Sequence, residues 1–385
     1  MVYHELNKMR QINPELIKEL CIVNGEPFAL SDLENMGYQE FSLRSKLNMP
    51  SKLYKYFPNK TEQKVDPNTF ETYMVNYSQN ALETNEVFLN SPANFDDVYD
   101  SNIVIDHDQY IMKRLQHYSS IFQCEGAAIN NNDLKVLLRS LSAAICDAMR
   151  INKGEYHIIE SFGLSREATL SAQAFFLHTS IMIQKGAQAE QAIQSALEKE
   201  YQEICSCTAK AFRISCFATT PFSQLMWGGS YADCHKGFCI EYDIRPNDPS
   251  YQEVFYNLFP VVYSKQRTDI TSTLLCWHDS KITIDMLWNI YFNGILRKSI
   301  DWAFQNEWRL LKPVNSSSQG ITVPFFPISK VYLGNRMDPI SRKKIIEICK
   351  KKDIPYIGVR RSMDRFEMQA CDILCENCPS YTTAL

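Results

Sequence analysis

Residues 108–211 read almost wholly as helix, and this block interrupts segments that read as strands on either side. Within it Leu134, Leu137, Leu138 and Leu141 recur at the three-to-four spacing that puts side chains on one helix face, and a second run covers 187–207. A regular βαβ array needs a crossover helix after each strand, which this layout does not supply. The expected fold class is α+β: a mixed, mainly antiparallel sheet core with a large helical insertion at about 108–211.

Before the insertion, "KLYKYF" alternates in strand fashion and "EVFLNS" forms a second strand ending at Pro92. Between them, Asp66 and Pro67 mark the start of a helix in "DPNTFETYMVNYSQNAL". After the insertion, "FRISCF", "FCIEYDI", "FPVVYS", "EWRLLK", "GITVPF", "KVYLG", "PYIGV" and "FEMQA" suit strands, with helices over 284–298 and 341–352. Up to Met49 the reading is two short helices, the first capped by Asn13 with Pro14 at its first position. No repeat or Gly/Ser linker breaks the chain. The expected organisation is therefore an N-terminal helical segment over 1–49, one α+β domain over 50–370 and a tail over 371–385.

The chain balances 40 Lys and Arg against 44 Asp and Glu for a formal charge of −4, which argues against avid, unspecific nucleic-acid binding. Its longest apolar stretch, "AQAFFLHTSIMI", falls short of a bilayer span, and the charged N-terminus does not suit an export signal. Thirteen scattered cysteines fit reduced thiols better than a disulfide framework. The expectation is a cytoplasmic protein with no membrane partner.

Three clusters carry chemistry. In "CFATTPFSQLMWGGSYADCHKGFCIEYD", Thr219, Thr220, Pro221 and Ser223 start a short helix on which Trp227 and Tyr231 are four residues apart, so a flat ring system finds a platform there with the Tyr231 hydroxyl as anchor. The same residues also suit a plug between helix and sheet, and His235 before a Lys-Gly turn is equally ambiguous. In "NFDDVYD", Asp96, Asp97 and Asp100 gather after a strand end, suited to a cation, to ribose hydroxyls or to a solvated turn. In "KSIDWAFQNEWRLL", Lys298 and Trp302 precede a strand on which Glu307 and Arg309 share a face opposite Trp308, either as a simple ion pair or as a carboxylate tuned by apolar rings. At the tail, Cys371, Cys375 and Cys378 show a C-x-x-x-C-x-x-C spacing with no fourth ligand nearby, and no metal is expected there. P-loop, G-x-G-x-x-G, H-E-x-x-H and G-x-S-x-G motifs are absent from the sequence.

In this order, "LYKYF", "NSPANFDDVYD", "CFATTPFSQLMWGGSYADCHKGFCIEYD", "WAFQNEWRLL" and "VYLGN" resemble a large family of mostly bacterial proteins catalogued as domain of unknown function 2971, from about Leu53 to Ala370. The likeness is carried by Leu225-Met226-Trp227, Tyr231-Ala232-Asp233, His235, Gly237-Phe238 and Glu307-Trp308-Arg309. The chain departs from the family phrase at Asp96, Val98, Ala218, Gly229 and Gln305.

The element order of that resemblance is in turn similar to ADP-ribosyltransferase folds. It implies Lys55 in the first-strand position, Thr219 or Tyr231 in the middle and Glu307 last, with Glu307, Tyr231 and Lys55 as the catalytic set. Trp227, His235, Thr219, Asp96, Asp97, Arg309 and Tyr56 would then contact a nucleotide-like small molecule. The expectation is an NAD⁺-using transferase or glycohydrolase, with NAD⁺ as co-substrate, an unknown macromolecular target and a toxin or defence role. Two alternatives stand beside it: a metal-dependent nuclease or phosphodiesterase with Asp96, Asp97 and Glu307 on Mg²⁺, and a non-catalytic nucleotide- or protein-binding module. The oligomeric state is not legible.

Overall fold

A computed structural model describes residues 20–66, 68–122, 124, 132–151, 166–279, 283–314 and 320–371 of the chain. The predicted Asn13 helix cap, Cys375 and Cys378 lie outside the described residues. The fold is α+β, with mostly antiparallel sheets and many helices. It divides into two compact units. The first comprises the described parts of Met1–Ser101, Ala209–Gln266 and Ile295–Leu385, and the second those of Asn102–Thr208 and Arg267–Gly294.

The first unit is built on two five-stranded sheets. One runs Gly320–Pro324, Glu86–Asn90, Phe212–Phe217, Trp308–Pro313, Leu258–Pro260, all antiparallel. The other runs Met368–Ala370, Tyr356–Arg361, Ile328–Leu333, Phe238–Asp243, Lys52–Phe57, with one parallel pair between Ile328–Leu333 and Tyr356–Arg361. Apolar side chains of both sheets form one core: Leu89, Phe217, Trp308 and Leu310 from the first meet Leu53, Ile240, Tyr242 and Val331 from the second. Burial of such large side chains is the main driving force for this packing. Phe217 and Phe325 stack at 4.4 Å within it.

Hairpins occupy part of two stretches read as helical. Leu20–Val23 and Glu26–Ala29 pair antiparallel around Asn24 and Gly25, both at positive φ, before the helices Leu30–Glu34 and Tyr38–Leu47 begin. An Asn-Gly pair between short strands favours that turn. Glu62–Val65 and Thr72–Val75 likewise pair antiparallel. Asp66, read as a helix start, accepts hydrogen bonds from the backbone N–H of Asn68 (2.7 Å) and Thr69 (3.1 Å), closing a turn. The next helix, Tyr77–Thr84, is capped by Asn76. An Asp followed by polar residues makes the same local hydrogen bonds in both settings, and only pairing across the hairpin decides between them.

"FPVVYS" splits in two. Leu258–Pro260 pairs with Trp308–Pro313, whereas Val262–Ser264 joins a separate four-stranded sheet beside Leu20–Val23 and Arg297–Ser299. Gly237 precedes Phe238–Asp243 where a Cβ would stand 1.9 Å from the Phe57 carbonyl oxygen, so no larger residue lets these strands meet.

The second unit holds the long helices His107–Ile121, Leu134–Ile151, Arg166–Gln184 and Ala189–Cys205. It also takes in Thr271–Asp279 and helix Ile284–Ile295 as far as Gly294, which the sequence reading left outside the insertion. Leu115, Leu137, Leu141, Ile145, Phe175 and Leu197 form its main core. No helix among the described residues is long and apolar enough to cross a membrane.

Candidate functional site

Backbone pairing brings distant segments together in the first unit. Tyr54 and Ala218 exchange both backbone hydrogen bonds, at 2.9 and 2.7 Å, and so bring the Lys52–Phe57 strand to the end of Phe212–Phe217. Lys55 Nζ consequently donates to Ser215 Oγ (2.8 Å) and to the Cys216 carbonyl (3.2 Å). In the neighbouring ladder Arg309 stands opposite Cys216, and Trp308 opposite Phe217. Period-two alternation then sends Trp308 into the core while Arg309 faces the polar side.

Arg309 is the hub of a buried ion cluster. Its Nη1 and Nη2 donate to Asp100 Oδ1 and Oδ2 at 2.8 and 2.6 Å, the two-pronged geometry that a planar guanidinium favours. Its Nε donates to Glu307 Oε1 at 2.6 Å, and Nη1 also reaches the Ile295 carbonyl. Lys298 Nζ lies 3.2 Å from Glu307 Oε2 and 3.3 Å from Asp100 Oδ2, and 5.1 Å from the centre of the Trp302 ring.

Burial pushes the Glu307 carboxyl upward, but the charges of Arg309 and Lys298, with hydrogen bonds from Arg309 and Cys216, outweigh burial and bring it down to about 2. Glu307 is thus a permanent carboxylate, only 5% exposed. Burial also opposes the charge on Lys298, yet Glu307 and Asp100 keep its pKa above the ordinary lysine value. The four charges of Asp100, Glu307, Lys298 and Arg309 sum to zero.

Lys55 differs. Its hydrogen-bond partners are neutral, burial lowers its pKa, and Glu307 opposes that only as a more distant charge. Lys55, Cys216, Thr219 and Tyr231 keep partial solvent access beside the buried ions. Burial pushes the Cys216 thiol up, so it stays a neutral thiol whose hydrogen bond helps to hold Glu307 ionised. Tyr231 joins through Gln305: Gln305 Nε2 donates to Tyr231 Oη (2.6 Å), and Lys298 Nζ donates to Gln305 Oε1 (2.9 Å). Thr219 Oγ1 accepts from Asn306 Nδ2 (2.6 Å). Lys55, Thr219, Tyr231, Glu307 and Arg309 therefore gather in one polar region of the first unit.

The other predicted residues lie elsewhere. Trp227 is 0% exposed, its Nε1 donates to the Pro221 carbonyl (2.7 Å), and its ring packs edge-on to Tyr56 at 5.3 Å. It is a core residue with no face open to a ligand. The i, i+4 argument fails because the helix Gln224–Gly228 ends before Tyr231, which sits in the separate turn Ser230–Ala232. Tyr56 is buried too, its hydroxyl donating to the Thr220 carbonyl (2.8 Å) and accepting from the Ser223 N–H (3.3 Å). It fixes the loop that presents Thr219.

His235 lies beside the Trp227 ring at 6.4 Å, on the third of three successive residues at positive φ after Asp233 and Cys234. Burial, reinforced by Arg336, lowers its pKa. Asp96 is exposed, and Asp97 Oδ1 accepts from the Tyr99 N–H (2.9 Å). Burial chiefly, with the Asp96 charge among the lesser causes, raises the Tyr231 pKa. The loop's contribution to the ion cluster is Asp100, which sequence reasoning noted among the loop carboxylates but did not assign to the site. Lys298 was likewise seen beside the Glu307 motif and not assigned. Gln305 was counted as a departure from the family pattern. Nothing in the local sequence marks Cys216.

Among the described residues no group of three or more His, Cys, Asp and Glu side chains is arranged to hold a metal ion. Cys371 is buried in the main core.

Residues 226–310 match the family model described as protein of unknown function (DUF2971). The matched segment contains Trp227, Tyr231, His235, Lys298, Glu307 and Arg309. No curated protein and no solved structure matches the chain.

Proposed function

Because that family is defined without an activity, we propose from the geometry that the Lys55–Tyr231–Glu307 cluster binds NAD⁺ and cleaves its nicotinamide–ribose bond, by ADP-ribosyl transfer or by hydrolysis. The carrying observation is convergence. Three segments far apart in sequence meet at a neutral ion cluster flanked by Lys55, whose acceptors among the described residues are the Ser215 hydroxyl and the Cys216 carbonyl. A lysine held by neutral acceptors can take up a diphosphate, whose charge would stabilise the ammonium that burial disfavours.

In this reading Lys55 donates to the diphosphate, and the Tyr231 hydroxyl, already accepting from Gln305, gives its own proton to the ligand. Glu307 accepts from a ribose hydroxyl. The C–N bond breaks with its electron pair leaving on neutral nicotinamide, and water or a target nucleophile bonds to the ribose carbon and loses a proton. A carboxylate held ionised stabilises the cationic ribose electrostatically and does not serve as an acid.

A second reading, a nucleotide-binding module without turnover, draws support from the engagement of both Glu307 oxygens by Arg309 and Lys298. The Mg²⁺ nuclease reading has no such support, since among the described residues no group of three or more His, Cys, Asp and Glu side chains is arranged to hold a metal ion.

Nicotinamide release from NAD⁺, followed by chromatography, separates the first two. Turnover that falls about 100-fold in Glu307→Gln with KM little changed, and a raised KM in Lys55→Met, is the expected result. A melting shift with NAD⁺ but no release favours the binding module. Neither release, adduct nor melting shift overturns the nucleotide assignment.

A further inference from the structure

The helical unit carries a cavity of about 670 Å³, inside the range of roughly 300–1,000 Å³ common to small-molecule sites. Its apolar wall comes from Ile111, Met112 and Leu115 of His107–Ile121, Leu134 and Leu138 of Leu134–Ile151, and Leu197 of Ala189–Cys205. The polar wall comes from His107 and Asp108 in the first turn of the first helix and from Gln194, Ser195 and Glu198 of the third. Going down His107–Ile121, the lining changes from charged to apolar over about 12 Å at 1.5 Å per residue. The side chains of Tyr110, Arg114 and Tyr118, one helix face away, are engaged with Glu200 and leave the cavity to its apolar lining.

The charge at the polar end has a definite sign. His107 lies between two carboxylates, with Nδ1 3.0 Å from Asp108 Oδ1 and Nε2 3.0 Å from Glu198 Oε2. The hydrogen bonds to Asp108 and then Glu198 raise its pKa. Even with the imidazole protonated, two carboxylates against one cation leave this end negative. A fatty-acid carboxylate is repelled there and an ammonium is attracted.

We infer that this cavity binds an amphipathic small molecule with one unbranched apolar tail and a cationic head, the tail against Ile111, Met112, Leu115, Leu138 and Leu197 and the head at the polar end, against the Glu198 carboxylate oxygens beside His107. The site lies wholly in the helical unit and does not depend on the NAD⁺ reading.

Isothermal titration of the full chain with dodecylamine, dodecanol and dodecanoate, each below its aggregating concentration, tests it. The expected result is one dodecylamine per chain, bound at least tenfold tighter than dodecanoate, with decylamine weaker by roughly tenfold for the two methylenes lost. Met112→Trp fills the cavity and should abolish binding. Ser195→Trp, at an exposed position that the fold tolerates, should block the polar end if the first variant does not fold. Glu198→Gln should narrow the preference for dodecylamine over dodecanol. Dodecanoate binding as tightly as dodecylamine, uptake of many amines per chain, the absence of binding, or binding unchanged in Ser195→Trp would each overturn the proposal.

Discussion

Asp100, Glu307, Lys298 and Arg309 show what one buried side chain is worth when its partners cannot reach water. The Asp100 and Arg309 side chains are both 0% exposed. Asp100→Asn keeps the shape but strands Arg309 and Lys298 against a single carboxylate, and removing one member of such a group typically costs about 3–5 kcal/mol. Urea denaturation at neutral pH should show that loss, whereas Asp96→Asn, at an exposed site, should change stability little. A loss under about 1 kcal/mol for Asp100→Asn would mean that water reaches the cluster. Glu307 adds a pH dependence. Its folded pKa is depressed to about 2, so its contribution is complete above the ordinary carboxylate range and drains away as pH falls from there toward about 2. The sequence made Glu307 and Arg309 legible because a strand puts i and i+2 on one face. It could not show Asp100 meeting Arg309 across 209 positions, nor that Trp227 and Tyr231 are parted by a helix end.

Among elements, the strands were the readable part, since alternating side chains and punctuating Gly and Pro act locally. Where local chemistry serves two structures, as at Asp66, only the partner strand decides, and that partner is not in the local sequence. The junction of Lys52–Phe57 with Phe238–Asp243 turns on contacts of the same non-local kind. Gly237 makes the approach to the Phe57 carbonyl possible, and Gly334 does the same for the His235 carbonyl, where a Cβ would stand 2.2 Å away. Backbone on both sides of such a contact cannot swing aside as a flexible side chain does. Gly237→Ala should therefore lower stability by at least ~2 kcal/mol and weaken the NAD⁺ binding proposed above by shifting Lys55, which lies on the displaced strand. Gly186→Ala, with positive φ but open space around it, should cost only about 1 kcal/mol and leave binding intact. Equal effects of the two on melting would show that the close approach at Gly237 costs no more than the positive φ at Gly186.

For the whole molecule, the sequence revealed a helical block but not its full membership. Ile270, Leu274 and Ile290 pack with Ile103, Ile105 and Tyr110, so a later segment shares a core with the first turns of the insertion. Helical periodicity shows that a segment has an apolar face, not which core receives it. Each described core cluster draws its buried residues from one unit alone, which bears on how stability is distributed. Leu141, fully buried in the main helical core, loses several methyl and methylene contacts on Leu141→Ala, a change that costs about 2–5 kcal/mol. Native-state hydrogen exchange should register that loss in the amides of Leu134–Ile151 and Ala189–Cys205, while those of Phe212–Phe217 and Trp308–Pro313 keep their protection. If the strand amides lose the same free energy as the helices, the separate cores unfold as one cooperative body, and substitutions in the helical cavity would then have to be judged by their effect on the Lys55–Glu307 cluster as well.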